Sequence, residues 1–208
     1  MLRLTGTDRA VAEIAAVAEH VASLTAATAA LRLQSYSGPP PAGGAPAGVP
    51  PISDDDAGDA SAVLADIREW ASAALGRDEI PDIWRVLAHQ PRLLAATWRK
   101  DRLILGSGAL DEQTKTLAAL AVASFRQSDY WIGYFTDVLR NRDGVEDKLV
   151  VEIAGAVMHY VSFNTVAHAM RLEAPVEAIT ASDVVPGGHL EEIVPGVRKR
   201  VKAPPDQA

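Results

Sequence analysis

Three polar side chains that could line a small-molecule site, Tyr160, Asn164 and His168, recur every four residues near the end of a long apolar stretch. On a helix that spacing puts them on one face. There they offer hydrogen-bond donors and acceptors around a small ligand, with an imidazole that titrates near neutrality. The same ladder also suits a satisfied polar seam at a subunit interface or surface. Glu152 and His159 share another face, but seven residues of helix separate them by about 10 Å along the axis, too far to chelate one ion unaided. His89 lies near a helix end, where capping is its ordinary role. No metal site and no cofactor are expected.

The stretch "FRQSDYWIGYF", Phe125 to Phe135, has the frame of a redox motif without its sulfur. The 208 residues contain no cysteine. Disulfides, thiol catalysis, zinc–thiolate sites and thiolate-bound iron–sulfur clusters are therefore excluded. "GSGAL", Gly106 to Leu110, lacks the lysine and spacing of a phosphate loop. No Gly-x-Ser-x-Gly elbow, His-Glu-x-x-His motif or dinucleotide fingerprint is present.

A composition of 48% hydrophobic and 23% charged residues is that of a soluble globular protein. The net charge of −7 argues against nucleic-acid binding, which needs clustered Lys and Arg. The one basic cluster, "RKRVK" (Arg198 to Lys202), lies in a Pro-flanked tail and reads as solvated. Acidic residues interrupt the apolar N-terminal stretch, so neither a signal peptide nor a membrane span is expected. The cytoplasm is the default compartment.

The elements that must carry these residues are helical. From Asp8 to Leu33, Ala10, Ile14, Val17, Val21, Leu24, Thr28 and Leu31 alternate spacings of four and three, a heptad-like seam. So short an Ala-rich helix is marginal alone and needs a surface to pack on. Packing within a homo-oligomer is the favoured arrangement, because the seam lacks an aromatic or Arg anchor; a different protein partner is the alternative. Residues 35–61, rich in Pro, Gly and Ala and then acidic, read as a linker that lets this helix reach away from the domain.

After Ala62 the periodicity is helical almost throughout. Val63, Ile67, Trp70, Ala74 and Leu75 mark an apolar face, and Gly76 suits a stop. Pro81 opens a helix that ends before Pro91, and a further helix follows from Pro91 to Leu105. Asp111 is a candidate N-cap for one segment running on to Gly144. A long final core helix is closed by Pro175. Strict alternation is absent, so the fold class is all-α. The four tryptophans are expected in the core or at an interface. The expected organisation is an N-terminal helix (1–34), linker (35–61), helical domain (62–175) and peripheral tail (176–208).

Over roughly Ile80 to Pro175 the chain resembles the alkyl hydroperoxidase D-like, carboxymuconolactone decarboxylase superfamily. The resemblance rests on "IPDIWRVLAHQPRLLAATW", "KTLAALAVAS", "SDYWIGYFTDVLRNRDGV" and "EIAGAVMHYVSFNTVAHAM", the last including the Phe163–Asn164 pair. In redox-active members a glutamate, two cysteines and a histidine cooperate in peroxide reduction. Carried onto this chain, the glutamate position is Thr116, the first cysteine Ser128, the second Trp131 and the histidine Phe135. Tyr130, Thr136 and Gly144 still fit the pattern.

All four reactive residues are replaced. A serine hydroxyl is far less acidic than a thiol and cannot cycle through a sulfenic acid, so peroxide reduction by the family mechanism is not expected. Trp131 and Phe135, four apart, should form an aromatic plug or pocket. The resemblance implies an alkyl hydroperoxidase D-like helical bundle, assembled as a trimer or dimer of trimers. It points to a degenerate member acting as a binding, scaffolding or accessory subunit. The alternative is a divergent enzyme for a small hydrophobic substrate, using Tyr130, Ser128 or the Tyr160–Asn164–His168 face. The decarboxylase branch fits less well, because its Glu and His positions fall on Thr116 and Phe135.

Overall fold

Seven α-helices, one short 3-10 helix (Gly58–Ala60) and no strand make up the regular structure of the described residues; the α-helices are α1 (Gly6–Ala30), α2 (Ser61–Leu75), α3 (Asp82–Leu87), α4 (Pro91–Leu105), α5 (Glu112–Phe125), α6 (Asp129–Asn141) and α7 (Asp147–Ala169). The computed structural model describes residues 6–36 and 47–171. The chain divides into two units, Met1–Ser162 and Phe163–Ala208, and α1 to α6 belong to the first. The tail from Val176, with its basic cluster, and Pro175 lie outside the described residues.

Local chemistry sets the helix bounds. Gly76 ends α2 in the left-handed region, φ 65°, where glycine has no steric penalty. Pro81 precedes α3 and Pro91 opens α4, where a missing N–H costs no helical bond. The Asp111 side chain accepts the Thr114 N–H at 2.6 Å and caps α5.

The segment expected to run unbroken from Asp111 to Gly144 is two helices. Gln127 sits at φ 55°; its N–H donates to Ser124 O at 3.0 Å, and the Ser128 N–H donates to Ala123 O at 3.1 Å. This paired reverse bonding is a Schellman turn, and it lets α6 fold back against α5.

α1 packs on α4 and α5 of its own chain. Its buried face is Val17, His20, Val21, Leu24 and Thr28, so the seam begins at Val17; Ile14 remains exposed. The described part of the linker is no free tether either. The Gly48 N–H donates to Leu31 O at 2.9 Å, Arg85 donates to Ile52 O at 3.1 Å, and His89 Nε2 lies 2.9 Å from Pro50 O. Ala57 and Ala60 are buried. Pro-rich backbone has spare carbonyls, and here side chains of α3 and of the residues that follow it supply the donors.

The interior brings Trp84, Trp131, Tyr134, Phe135, Ile67, Ile83 and Leu94 together from α2, α3, α4 and α6. α7 departs from the core-helix expectation, for none of its residues is buried. Leu149, Val150 and Ile153 touch the core only partly. Its apolar residues are spread around the helix, so one domain surface cannot cover them all. By length and composition α1 and α7 each pass the test for a membrane-crossing helix, with mean hydropathy 1.3 over their most apolar windows.

Candidate functional site

The four positions that the family resemblance singles out fall on α5, α6 and the turn between them. Thr116 on α5 is buried; its hydroxyl donates to Glu112 O at 2.8 Å and accepts from Arg142 Nη2 at 3.1 Å. Arg142 is held in turn by Asp143 at 2.7 Å and Glu112 at 3.2 Å. This is a structural network with no free base. Ser128, the residue before α6, is half-buried, and its carbonyl accepts the Ile132 N–H at 2.9 Å.

Trp131 and Phe135 follow on the inward face of α6. Their rings stack with centroids 5.6 Å apart, and both are essentially inaccessible to solvent. Tyr134 meets Trp131 edge-on at 5.0 Å and Phe135 at 5.2 Å. The Trp131 indole N–H reaches Thr28 Oγ1 on α1 at 3.2 Å. The aromatic surface is thus a plug, closed by α1, and no open pocket remains at these residues.

The expected ligand-binding residues lie in different surroundings, and Asn164 and His168 line one shallow recess with Ala167 and Arg171. Tyr130 is buried, and its hydroxyl accepts the Ile83 N–H at 3.0 Å, satisfying the first turn of α3. Burial pushes its pKa far above the ordinary phenol value, so it holds its proton. Tyr160 is exposed on α7, away from that interior. Asn164 and His168, at the far end of α7, are exposed too. Among the described residues no cluster of three or more His, Asp or Glu side chains could hold a metal.

Two polar clusters were missed in the sequence. His20 Nε2 on α1 lies 3.0 Å from Asp101 Oδ1 on α4, and both residues are only 1% exposed. The signal was present: Asp101 takes an inward place in the series Leu94, Trp98, Asp101, Leu105, and His20 one in Val17, His20, Val21, Leu24.

The second cluster holds Glu13 of α1 in the "GSGAL" loop. Its carboxylate accepts the Ala109 N–H at 2.8 Å and the Leu110 N–H at 3.0 Å, and pairs with the buried Lys115 ammonium at 3.0 Å. Those two backbone donors, then Lys115, lower the Glu13 pKa from 4.5 to about 2. A side chain at Gly108 would meet the end of the Glu13 side chain, so the carboxylate would have to shift from this clasp. These loop N–H groups bind the chain's own carboxylate.

No protein-family model matches the sequence, and no curated protein sequence matches it at a significant level. Among solved structures, the alkylhydroperoxidase AhpD core from Rhodospirillum rubrum is similar, with 28% sequence identity and a TM-score of 0.55. The match covers 64% of this chain and 96% of that one. The fold of this chain is alkyl hydroperoxidase D-like. The chain carries that fold without cysteine, with tryptophan and phenylalanine packed where the resemblance places a reactive thiol and an imidazole. Nearly all of the Rhodospirillum core has a counterpart, while about a third of the present chain lies beyond the match.

Proposed function

We propose that this alkyl hydroperoxidase D-like chain is a catalytically degenerate member that works as a binding or scaffolding subunit, without thiol peroxidase activity. The observation that carries the reading is the buried Trp131–Phe135 stack. A peroxide needs a nucleophile and a proton donor in contact with it. Here the corresponding space holds two aromatic rings and the Thr28 hydroxyl.

The unit is proposed to be homo-oligomeric, as a trimer or dimer of trimers, with α7 supplying contact surface. Val151, Met158 and Tyr160 are each more than two-thirds exposed on this helix, an apolar display that a lone soluble domain rarely maintains. A bilayer would accept the same length of helix. However, Glu152, His159, Asn164 and His168 are spaced along α7 and would place polar groups at several depths of hydrocarbon. A protein neighbour can satisfy them, so a second copy is favoured over lipid. On this reading the Tyr160–Asn164–His168 ladder belongs to the contact surface.

Two measurements on one preparation test the proposal. A peroxide-consumption assay with a thiol reductant should show no turnover above buffer, and robust thiol-dependent turnover would refute the degenerate reading. Native mass spectrometry without detergent should show a multiple of the chain mass. A monomer at micromolar concentration, or protein recovered only with detergent, would overturn the assembly.

A further inference from the structure

The first two-thirds of α7 turn one side to the core and the other to solvent. Leu149, Val150 and Ile153 touch the core, and at about 100° per residue Gly155 falls on the opposite side of the helix. Through it Lys148, Val151, Gly155, Met158 and Ser162 alternate spacings of three and four, a short heptad seam in which no residue is buried.

Glycine is a poor helix former, yet Gly155 stands well inside a helix of 23 residues. Its φ is not positive, and a Cβ at this position would meet nothing within 4 Å. Neither a turn nor crowding inside the chain accounts for it. Glycine here does allow the backbone of a second helix to approach closely.

The flanks of the seam carry complementary groups. Glu152 and His159 lie on one flank, about 5 Å to either side of the Gly155–Ala156 peptide along the axis. Within its own helix Glu152 pairs with Lys148 at a long 3.9 Å, which leaves the carboxylate with lone pairs for a second donor. The other flank carries Val151 and Met158, each about two-thirds exposed.

We propose that α7 is a two-fold contact, in which two copies of this chain cross antiparallel at Gly155. The inference rests on the homo-oligomeric reading given above and names its geometry. A two-fold axis through that point keeps each flank on its own side and inverts position along the helix. Glu152 therefore stands opposite the partner subunit's His159, and His159 opposite the partner subunit's Glu152. An imidazole N–H can donate to the carboxylate whether or not the ring is charged. On the other flank Val151 meets the partner subunit's Met158. A parallel pair would set carboxylate against carboxylate, and hydrocarbon would offer Glu152 and His159 no partner. A contact of this kind joins chains in pairs, so of a trimer and a dimer of trimers it selects the dimer of trimers.

The chain has no cysteine, so introduced thiols report the contact directly. Full-length Gly155→Cys should give a covalent dimer on mild oxidation, because position 155 meets its own copy. Glu152→Cys and His159→Cys should each stay single alone and cross-link when co-expressed. Like positions there lie about 10 Å apart along the axis, beyond the roughly 4.4–6.8 Å between α-carbons that a disulfide spans. Independently, Glu152→Arg should halve the native mass, and adding His159→Glu should restore it.

Glu152→Cys cross-linking alone as fully as the co-expressed pair would overturn the antiparallel arrangement. A wild-type mass of several chains, with no cross-link from Gly155→Cys or from the co-expressed pair, would overturn the two-fold contact and leave the homo-oligomer standing. A monomeric wild type would remove both.

Discussion

The indole of Trp131 on α6 donates a hydrogen bond to the hydroxyl of Thr28 on α1 across 3.2 Å, with both side chains buried. A position that the family resemblance gives to a cysteine is therefore used to fasten the N-terminal helix. Restoring sulfur there should not restore chemistry. In Ser128→Cys/Trp131→Cys the lost indole should cost about 3–5 kcal/mol, a large part of a typical domain's stability. Thr116 and Phe135 would still supply no proton transfer. A strongly lowered Tm and peroxide turnover at background are expected. Rapid thiol-dependent turnover by this variant would mean that the frame, not the residues, was sufficient.

The Glu13 clasp makes stability depend on acid. Its folded pKa, about 2, lies below the ordinary 4.5. The clasp's contribution is therefore fully present above about pH 4.5 and is lost as pH falls from there toward 2. Glu13→Gln should lower Tm at pH 7 and flatten its fall between pH 4.5 and 2. Parallel Tm profiles for wild type and variant over that range would show that the clasp adds nothing.

Gln127 occupies the left-handed region at φ 55° without being glycine. An L side chain there costs about 1–2 kcal/mol, partly offset by the greater unfolded-state freedom of glycine. Gln127→Gly should therefore stabilise the α5–α6 turn by roughly 0.5–1 kcal/mol, seen as a higher urea midpoint at unchanged slope.

The exposed side of α7 should be needed for assembly but not for folding. Val151 and Met158 lie two turns apart and are 68% and 69% exposed. Changing both to Glu should leave far-ultraviolet helicity intact while shifting sedimentation toward the single-chain mass. Unchanged mass would remove α7 from the contact surface.

Much of the architecture was legible in the sequence, because helical periodicity and terminal residues act locally. Gly76, Pro81, Pro91 and Asp111 each mark a bound that the structure keeps. The α5–α6 break was not legible, because the turn uses Gln127 and carries neither Gly nor Pro. The exposure of α7 was hidden for the opposite reason, since apolar composition records a need for burial without naming the surface that provides it. At the candidate site, substitution at Thr116, Ser128, Trp131 and Phe135 could be read from the resemblance. The His20–Asp101 pairing could not, because each residue merely looked misplaced in an apolar series and its partner lies 81 positions away.

That separation bears on how the chain comes to be folded. α1 is synthesised before its partners: Glu13 waits for a loop 96 positions later, His20 for Asp101, and Thr28 for Trp131, 103 positions on. During translation at about 5–20 residues per second, its apolar seam has no surface to rest on for several seconds. Closing so long a loop is a slow, entropically opposed step. The nascent helix therefore emerges well before the loop and helices that cover its apolar seam.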